Sequence, residues 1–252
     1  MRIDKFLADK YGSRNKAAQA IEKGLVSVNG KIVASASYEV KDGDKIELLQ
    51  AEESYVSAGG FKLAKAVKDF NLDIKDKIFA DVGASTGGFT DCLLQNGAKK
   101  VYCIDVGVSQ LSENIDREKV VIIDGFNARH LTADLFAEKL DGAVIDVSFI
   151  SLTYILGGVS NALGRGAYVV ALIKPQFECE SRKVGKNGIV RDVKLRLNII
   201  KKIYDFAVSV GLSPKAFTNA PIVKDKNTEY LILLEKGGNY EKIENLLKSV
   251  KL

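Results

Sequence analysis

The stretch Asp81-Val82-Gly83-Ala84-Ser85-Thr86-Gly87-Gly88-Phe89-Thr90 follows an apolar, strand-like run and opens a helical pattern. Glycines in such a turn let the backbone bend sharply and approach a ligand closely. Two nucleotide-binding loops share this look, and both fail here. A phosphate-binding P-loop reads GxxxxGK[ST]; Gly83 and Gly88 have that spacing, but Phe89 stands where the lysine belongs, so triphosphate binding loses its cation. A dinucleotide fingerprint reads GxGxxG; Ser85 replaces its second glycine, where a side chain blocks the approach of a pyrophosphate. What remains is an acid-led loop suited to a small nucleoside of net positive charge.

A second acid supports that reading. Asp105 closes the run Tyr102-Cys103-Ile104-Asp105, and a carboxylate there can accept from both hydroxyls of a ribose. Asp124 ends the next strand-like run and is expected on the adenine side. The order of acid, glycine loop and ribose acid resembles class I methyltransferases. That resemblance implies S-adenosylmethionine as cofactor, with Asp81, Gly83, Ala84, Ser85, Gly87, Gly88, Phe89, Asp105, Asp124 and Asp146 as its expected surroundings.

The run DVGASTGGFTD also resembles the FtsJ-type ribose 2′-O-methyltransferases, which use a Lys-Asp-Lys-Glu tetrad. The matching positions are Lys62 in Gly59-Gly60-Phe61-Lys62-Leu63, Asp146 in Ile145-Asp146-Val147-Ser148-Phe149, Lys174 in Ile173-Lys174-Pro175-Gln176-Phe177-Glu178, and Glu229 in Asn227-Thr228-Glu229-Tyr230. The resemblance implies that these four are catalytic and meet at the carboxyl edge of one sheet. The chemistry suits the residue types. A ribose hydroxyl must lose its proton to attack a sulfonium methyl group, and a lysine takes that proton only as the neutral amine. An ordinary lysine titrates near ~10.4, so about one in a few thousand is neutral at pH 7. Lys174 is the expected base. A second ammonium, Lys62, favours its neutral form, and the carboxylates Asp146 and Glu229 orient both lysines while their charge pulls the other way. Two other RNA methylation chemistries lack their residues. Base C5 methylation needs a nucleophilic cysteine beside proline, but the strand ends Lys174-Pro175-Gln176; adenine N6 methylation usually shows an Asn/Asp-Pro-Pro-aromatic run, and Asp146-Val147-Ser148-Phe149 has no proline.

Strand-like runs at 77–81, 100–105, 120–123, 143–146, 167–173 and 230–235 must position these groups. Amphipathic helical stretches such as 62–70 and 194–210 separate most of them. The alternation predicts an α/β fold with a Rossmann-like, mostly parallel sheet and ligands at the carboxyl ends of its strands. Residues 61–252 are expected to form this domain, and 51–60 a connector made flexible by the paired glycines Gly59-Gly60.

The first fifty residues predict a small α+β unit. Ile3, Phe6 and Leu7 give a short helix one apolar face. Ser13 is the expected N-cap of a second helix carrying Ala17, Ala18 and Ile21. Val26 and Val28 alternate with polar residues, and Asn29-Gly30 is a strong hairpin signal before Ile32-Val33. The residues Arg2-Ile3-Asp4, Leu7, Ser13-Arg14, Ala17, Gly24 to Lys31, Val40 and Asp42-Gly43-Asp44 resemble the S4 RNA-binding domain. Arg2, Arg14, Lys16, Lys23 and Lys31 are the expected phosphate contacts.

Charge distribution agrees. The net charge of +5 in 252 residues is mild, but residues 1–36 hold seven Lys/Arg against three Asp/Glu, and residues 174–202 hold nine against three. In the second stretch Arg182, Lys183, Lys186 and Arg191 stand among Gly185 and Gly188, which predicts a mobile segment at 178–191 that closes on RNA. The three scattered cysteines and single histidine, His130, argue against disulfides, zinc and His-based chemistry. No export signal and no apolar run near ~18 residues is present, so the expectation is a cytoplasmic protein without a metal or a membrane contact.

Taken together, YVS-x-GG-x-KL, DVGASTGGFTD, DVSFISL, KPQFE and VGK-x-G-x-VRD, behind the S4-like unit, resemble the TlyA family, historically called haemolysin A. The resemblance implies 2′-O-methylation of cytidine in ribosomal RNA within ribosomal subunits, at a 23S site in the 50S subunit and in some members also a 16S site in the 30S subunit. Ala58 stands where that family often has arginine, which removes a phosphate contact or an interdomain link. Two rival readings are a membrane-active lytic protein and an RNA-binding protein without catalysis; the absence of a basic amphipathic membrane helix opposes the first, and the four matched residues oppose the second.

Overall fold

The computed structural model describes residues 1–22, 25–33, 35–48, 55–180, 184–185, 188–222 and 226–252. Lys23, Arg182, Lys183 and Lys186 lie outside the described residues, as does the side chain of Lys31. The chain divides into two units, Met1–Ser54 and Tyr55–Leu252.

The smaller unit begins with two single-turn helices, α1 (Ile3–Phe6) and α2 (Ala8–Tyr11), followed by α3 (Arg14–Glu22). The Ser13 hydroxyl accepts from Lys16 N at 3.2 Å, the N-cap bond that satisfies a donor the helix cannot. Strands β1 (Val26–Val28), β2 (Lys31–Ile32) and β3 (Ile46–Leu48) form an antiparallel sheet in the order β2-β1-β3. Val28 pairs with Lys31 across Asn29 and Gly30, whose φ values are 52° and 74°. Both central residues at positive φ make the hairpin turn whose twist matches the strands. Ile3, Leu7, Ala17, Ile21, Val26, Val28 and Val33 close one core. Phe6, expected in that core, is 47% exposed; α1 ends there after one turn, so Ile3 and Leu7 alone share the inward side.

In the larger unit, α4 (Ala58–Asp69) leads into β4 (Ile78–Val82), α5 (Gly88–Gln95), β5 (Lys100–Asp105), β6 (Val120–Asp124), β7 (Gly142–Ile145), α6 (Leu156–Ala162), β8 (Tyr168–Ile173), α7 (Pro175–Glu178), α8 (Val193–Ser209), β9 (Leu212–Asn219), β10 (Tyr230–Lys236) and α9 (Ile243–Leu246). One seven-stranded sheet runs β6-β5-β4-β7-β8-β10-β9. β4, β5, β6, β7 and β8 are parallel, while β10 is antiparallel to β8 and β9. Strand order reverses between β4 and β7, the switch point where open α/β sheets bind ligands. Because β10 runs backwards, its first residue, Tyr230, pairs with the last residue of β8, Ile173. Glu229 and Lys174 are therefore brought to one edge by register.

β9 escapes sequence reading because Leu-Ser-Pro-Lys lacks clean alternation. Pro214 removes a ladder donor, and the structure accommodates it at the sheet edge beside a bulge between Leu233 and Leu234, the positions where proline is tolerated.

The expected connector is corrected at its C-terminal half. Tyr55 belongs to the larger unit, and Gly59-Gly60 lies inside α4. The reason is packing. A Cβ on Gly60 would stand 2.2 Å from Tyr55 Cγ, and Tyr55 is itself buried with its ring edge-on to Phe61 at 5.2 Å. The glycine makes room for an aromatic ring rather than for motion. Gly60→Ala should therefore destabilise the larger unit by about 1–3 kcal/mol through overpacking, despite alanine's better helix propensity. Urea unfolding of the full chain measures it, and unchanged stability would mean that Tyr55 moves aside freely.

Candidate active site

Four charged side chains meet at the sheet edge as two ion pairs. Lys62, one turn into α4, donates to Glu229 Oε2 at 2.6 Å; their side chains are 25% and 15% exposed. Lys174, directly after β8, lies 2.5 Å from Asp146 Oδ1, with exposures of 11% and 20%. The second pair is not aligned as a hydrogen bond, and Asp146 Oδ1 has no hydrogen-bond donor. The aligned bond from Lys174 Nζ goes to Ser148 Oγ at 2.9 Å. Each acid thus takes one lysine, where the sequence reading had both acids orienting both lysines.

Two clefts adjoin these pairs. One, of about 380 Å³, is lined by Val82, Gly83, Ser85, Ile104, Asp105, Phe126, Asn127 and Ala128, and by Asp146 to Ile150. The other, of about 170 Å³, is lined by Lys62, Gly83, Ser85, Phe89, Asp146, Ser148 and Lys174. Gly83, Ser85, Asp146 and Ser148 belong to both, so they form the wall the two clefts share. The first lies in the size range of small-ligand sites.

Not every expected cofactor residue reaches the first cleft. Asp105 does, with Oδ2 accepting from Ser85 N and Oδ1 from Gly107 N, each at 2.8 Å. It therefore fixes the glycine loop against the loop after β5. Ala84, Gly88 and Phe89 line the second cleft, and Gly87 lines neither. Asp124 is turned to Ser109 N at 2.7 Å and is replaced in the cleft wall by Phe126, Asn127 and Ala128. The glycines are needed against protein: a Cβ on Gly83 would stand 2.7 Å from the Asp146 carbonyl oxygen, and one on Gly88 2.2 Å from Ser57 Oγ.

Asp81 is fully buried in β4, where Thr90 Oγ1 donates to its Oδ2 at 2.6 Å and its Oδ1 has no partner. Burial, with Asp146 and Asp105 nearby, pushes its carboxyl up to about 7. Of these three acids Asp146 belongs to the shared wall, Asp105 lines the first cleft alone, and Asp81 is buried and lines neither. Among the described residues no group of three His, Cys, Asp or Glu side chains could hold a metal ion.

The segment after Asp146 went unassigned in the sequence. Phe149 adopts φ 63° and is 90% exposed, with its ring 4.9 Å from that of Phe177. Glu178, expected at the start of a mobile segment, is buried instead. It accepts from Ser151 Oγ at 2.5 Å, Leu152 N at 2.7 Å and Lys202 Nζ at 3.1 Å. In the smaller unit, buried Asp4 accepts from Arg2 and from Arg14 Nε at 3.0 Å. The two guanidinium groups hold its carboxyl down to about 2. Arg2, Arg14 and Lys16 remain exposed, with the two arginines fixed side by side.

A parallel sheet with one reversed strand, a glycine turn at its switch point and a Lys-Asp-Lys-Glu cluster at its edge define a methyltransferase of the Rossmann-like class. The chain belongs to the FtsJ-like methyltransferase family, whose model matches residues 55–236, and it carries an S4 domain at residues 1–46. It is 42% identical to hemolysin A of Brachyspira hyodysenteriae over 236 residues, 92% of this chain and 98% of that protein. It is 34% identical to the 16S/23S rRNA (cytidine-2′-O)-methyltransferase TlyA of Mycobacterium tuberculosis over 225 residues, 88% of this chain and 84% of that one. A solved structure of a candidate hemolysin from Streptococcus thermophilus shares 37% identity and a TM-score of 0.74, covering 98% of this chain and 94% of that chain. Among the described residues no helix is long and apolar enough to cross a membrane.

The raised carboxyl of Asp81 has a consequence for stability. Its contribution is fully present below the ordinary value of 3.8 and is lost as pH rises through about 7. The loss is on the order of 4 kcal/mol, from roughly three pKa units. Asp81→Asn cannot ionise, so the gap in urea midpoint between about pH 5 and about pH 8 should narrow in that variant. An unchanged gap would assign the titration to another group.

Proposed function

We propose that this protein transfers a methyl group from S-adenosylmethionine to the ribose 2′-hydroxyl of a cytidine in ribosomal RNA. The observation that carries the proposal is the pair of lysine–carboxylate contacts beside the wall shared by two clefts. The larger cleft takes the methyl donor. Asp105 faces its ribose, Phe126 and Ala128 face its adenine, and the shared wall at Asp146 faces its positive charge. S-adenosylmethionine supplies an electrophilic methyl group on a sulfonium. The smaller cleft takes the target ribose, between Lys62 and Lys174.

Lys174 is the general base and accepts the 2′-hydroxyl proton on Nζ. Its Nζ sits against Asp146, and positive charge arriving at the shared wall competes for that carboxylate. Lys62, held by Glu229, keeps a fixed cation in the same cleft, which disfavours a second one at Lys174 and stabilises charge developing on the ribose oxygen. The S4 domain supplies phosphate contacts through Arg2, Arg14 and Lys16, with Lys23 and Lys31 as further contacts and Arg182, Lys183 and Lys186 from the larger unit. The relative from Mycobacterium tuberculosis is named for 16S and 23S sites and that from Campylobacter jejuni for a 23S site alone, so the 50S subunit is the proposed partner and the 30S subunit a second one.

The deciding experiment is tritiated-methyl transfer to unmethylated 50S and 30S subunits, with the product nucleotide identified. A labelled 2′-O-methylcytidine supports the proposal; label on a base, or none, refutes it. Lys174→Ala and Lys174→Arg should both abolish single-turnover transfer while cofactor and subunit binding persist, because a guanidinium does not deprotonate at accessible pH. Near-wild-type turnover by Lys174→Arg would reduce Lys174 to a positive charge. Asp105→Ala should weaken S-adenosylmethionine binding by about 1–3 kcal/mol, the range for hydrogen bonds to a charged group. Calorimetry giving unchanged affinity would remove Asp105 from the site.

A further inference from the structure

Lys174 is held by two contacts of different physical kinds. Asp146 lies at 2.5 Å but out of hydrogen-bond alignment, so its hold is Coulombic. Such attraction fixes a distance and leaves the nitrogen free to rotate about its terminal bond. The 2.9 Å bond to Ser148 Oγ is directional. A tetrahedral amine with one hydrogen committed to Ser148 and another drawn toward Asp146 has one direction left, and all three residues line the smaller cleft.

The backbone that carries Ser148 is over-determined. Phe149, the next residue, is held at φ 63°, a conformation that a non-glycine residue keeps only where its surroundings impose it. At one end of the segment, Asp146 N donates to Val82 O at 3.0 Å. At the other, buried Glu178 takes Ser151 Oγ and Leu152 N. The hydroxyl is itself exposed to the cleft. Its position is thus fixed by a strained and doubly anchored loop rather than by its own packing.

We propose that Ser148 is a positioning residue for methyl transfer: its hydroxyl accepts one Lys174 hydrogen and thereby aims the lone pair of the neutral amine at the target 2′-hydroxyl. This rests on Lys174 acting as the base. The charged groups around Lys174 are Asp146 from the end of β7 and Lys62 from α4 with its partner Glu229 beside β10; Asp81 in β4 is buried and acts on Asp146. Ser148 is the neutral member of this set, so its removal alters direction without altering net charge.

The test is the pH profile of single-turnover methyl transfer, between about pH 6 and about pH 10, at saturating subunits and cofactor. Full-length wild type, Ser148→Ala and Ser148→Thr are compared. Ser148→Ala should lower the plateau rate about 10- to 100-fold, the scale of a small misalignment of reacting groups, with the cofactor kept saturating for each variant. Its midpoint should also move to lower pH, because an acceptor that favours the ammonium is gone. Ser148→Thr keeps the hydroxyl and should restore both. A wild-type plateau in Ser148→Ala overturns the proposal. So does a lowered plateau with an unmoved midpoint and no rescue by threonine, which would mark a purely structural role. Failure of the base assignment is read separately: Lys174→Arg would then turn over, whereas an inactive Lys174→Arg beside a fully active Ser148→Ala would overturn only the aiming.

Discussion

The site depends on how closely the Gly83–Gly88 turn packs against its neighbours. Three glycines are in contact that no side chain could share: Gly83 with the Asp146 carbonyl, Gly88 with Ser57 and the Gly60 nitrogen, and Gly60 with Tyr55. Through them the turn is sandwiched between the start of α4 and the end of β7. Lys62 rides on α4 and Asp146 ends β7, so the same contacts that bury this backbone set the separation of the two clefts. Protein interiors are dense enough that one added methyl group is felt. A substitution in this turn would move Lys62 relative to the sheet.

The electrostatics follow from that crowding. Asp81, Asp105 and Asp146 are collected near one wall, and the innermost, Asp81, is pushed toward its neutral form. The protein keeps this cost because the outer acids are answered by specific partners, Ser85 N and Gly107 N for Asp105 and Lys174 for Asp146. Pairing each lysine with its own carboxylate leaves a site of no net charge from the tetrad. Asp105 then lines the larger cleft, where a cation is expected, and the two lysines face the smaller one, where a nucleic acid would bring its phosphates.

The smaller unit uses a comparable device on a simpler scale. Asp4, a buried residue of α1, meets both Arg2 and Arg14, so this short helix is tied to α3. Fixing two long side chains in advance lowers the entropy lost when they meet an anion. The phosphate-binding reading of these arginines therefore gains a structural reason that counting their charge does not give.

How much of this was legible in the chain differs by kind of information. Hydrophobic period, glycine punctuation and strand-end acids are local, and from them come the parallel strands, the Asn29-Gly30 hairpin, the glycine turn and Asp105. β9 was not legible, because Pro214 breaks alternation and only an edge position beside a bulge rescues it. The four tetrad residues came from resemblance, since 167 residues separate Lys62 from Glu229 and no local rule joins them. Register brings both acids to the end of β8, Glu229 from antiparallel β10 and Asp146 from parallel β7; the pairing is completed from α4, whose Lys62 takes Glu229 and leaves Lys174 to Asp146. The same holds for Asp124, which Ser109 draws away from the cleft, for Gly59-Gly60, read as a hinge and found as a packing surface, and for Glu178, whose burial depends on Ser151 and Lys202 reaching it from elsewhere. A residue's type and neighbours in sequence determine what it can bond; which partner arrives is set by the fold, because contact is a property of three dimensions and the pattern is a property of one.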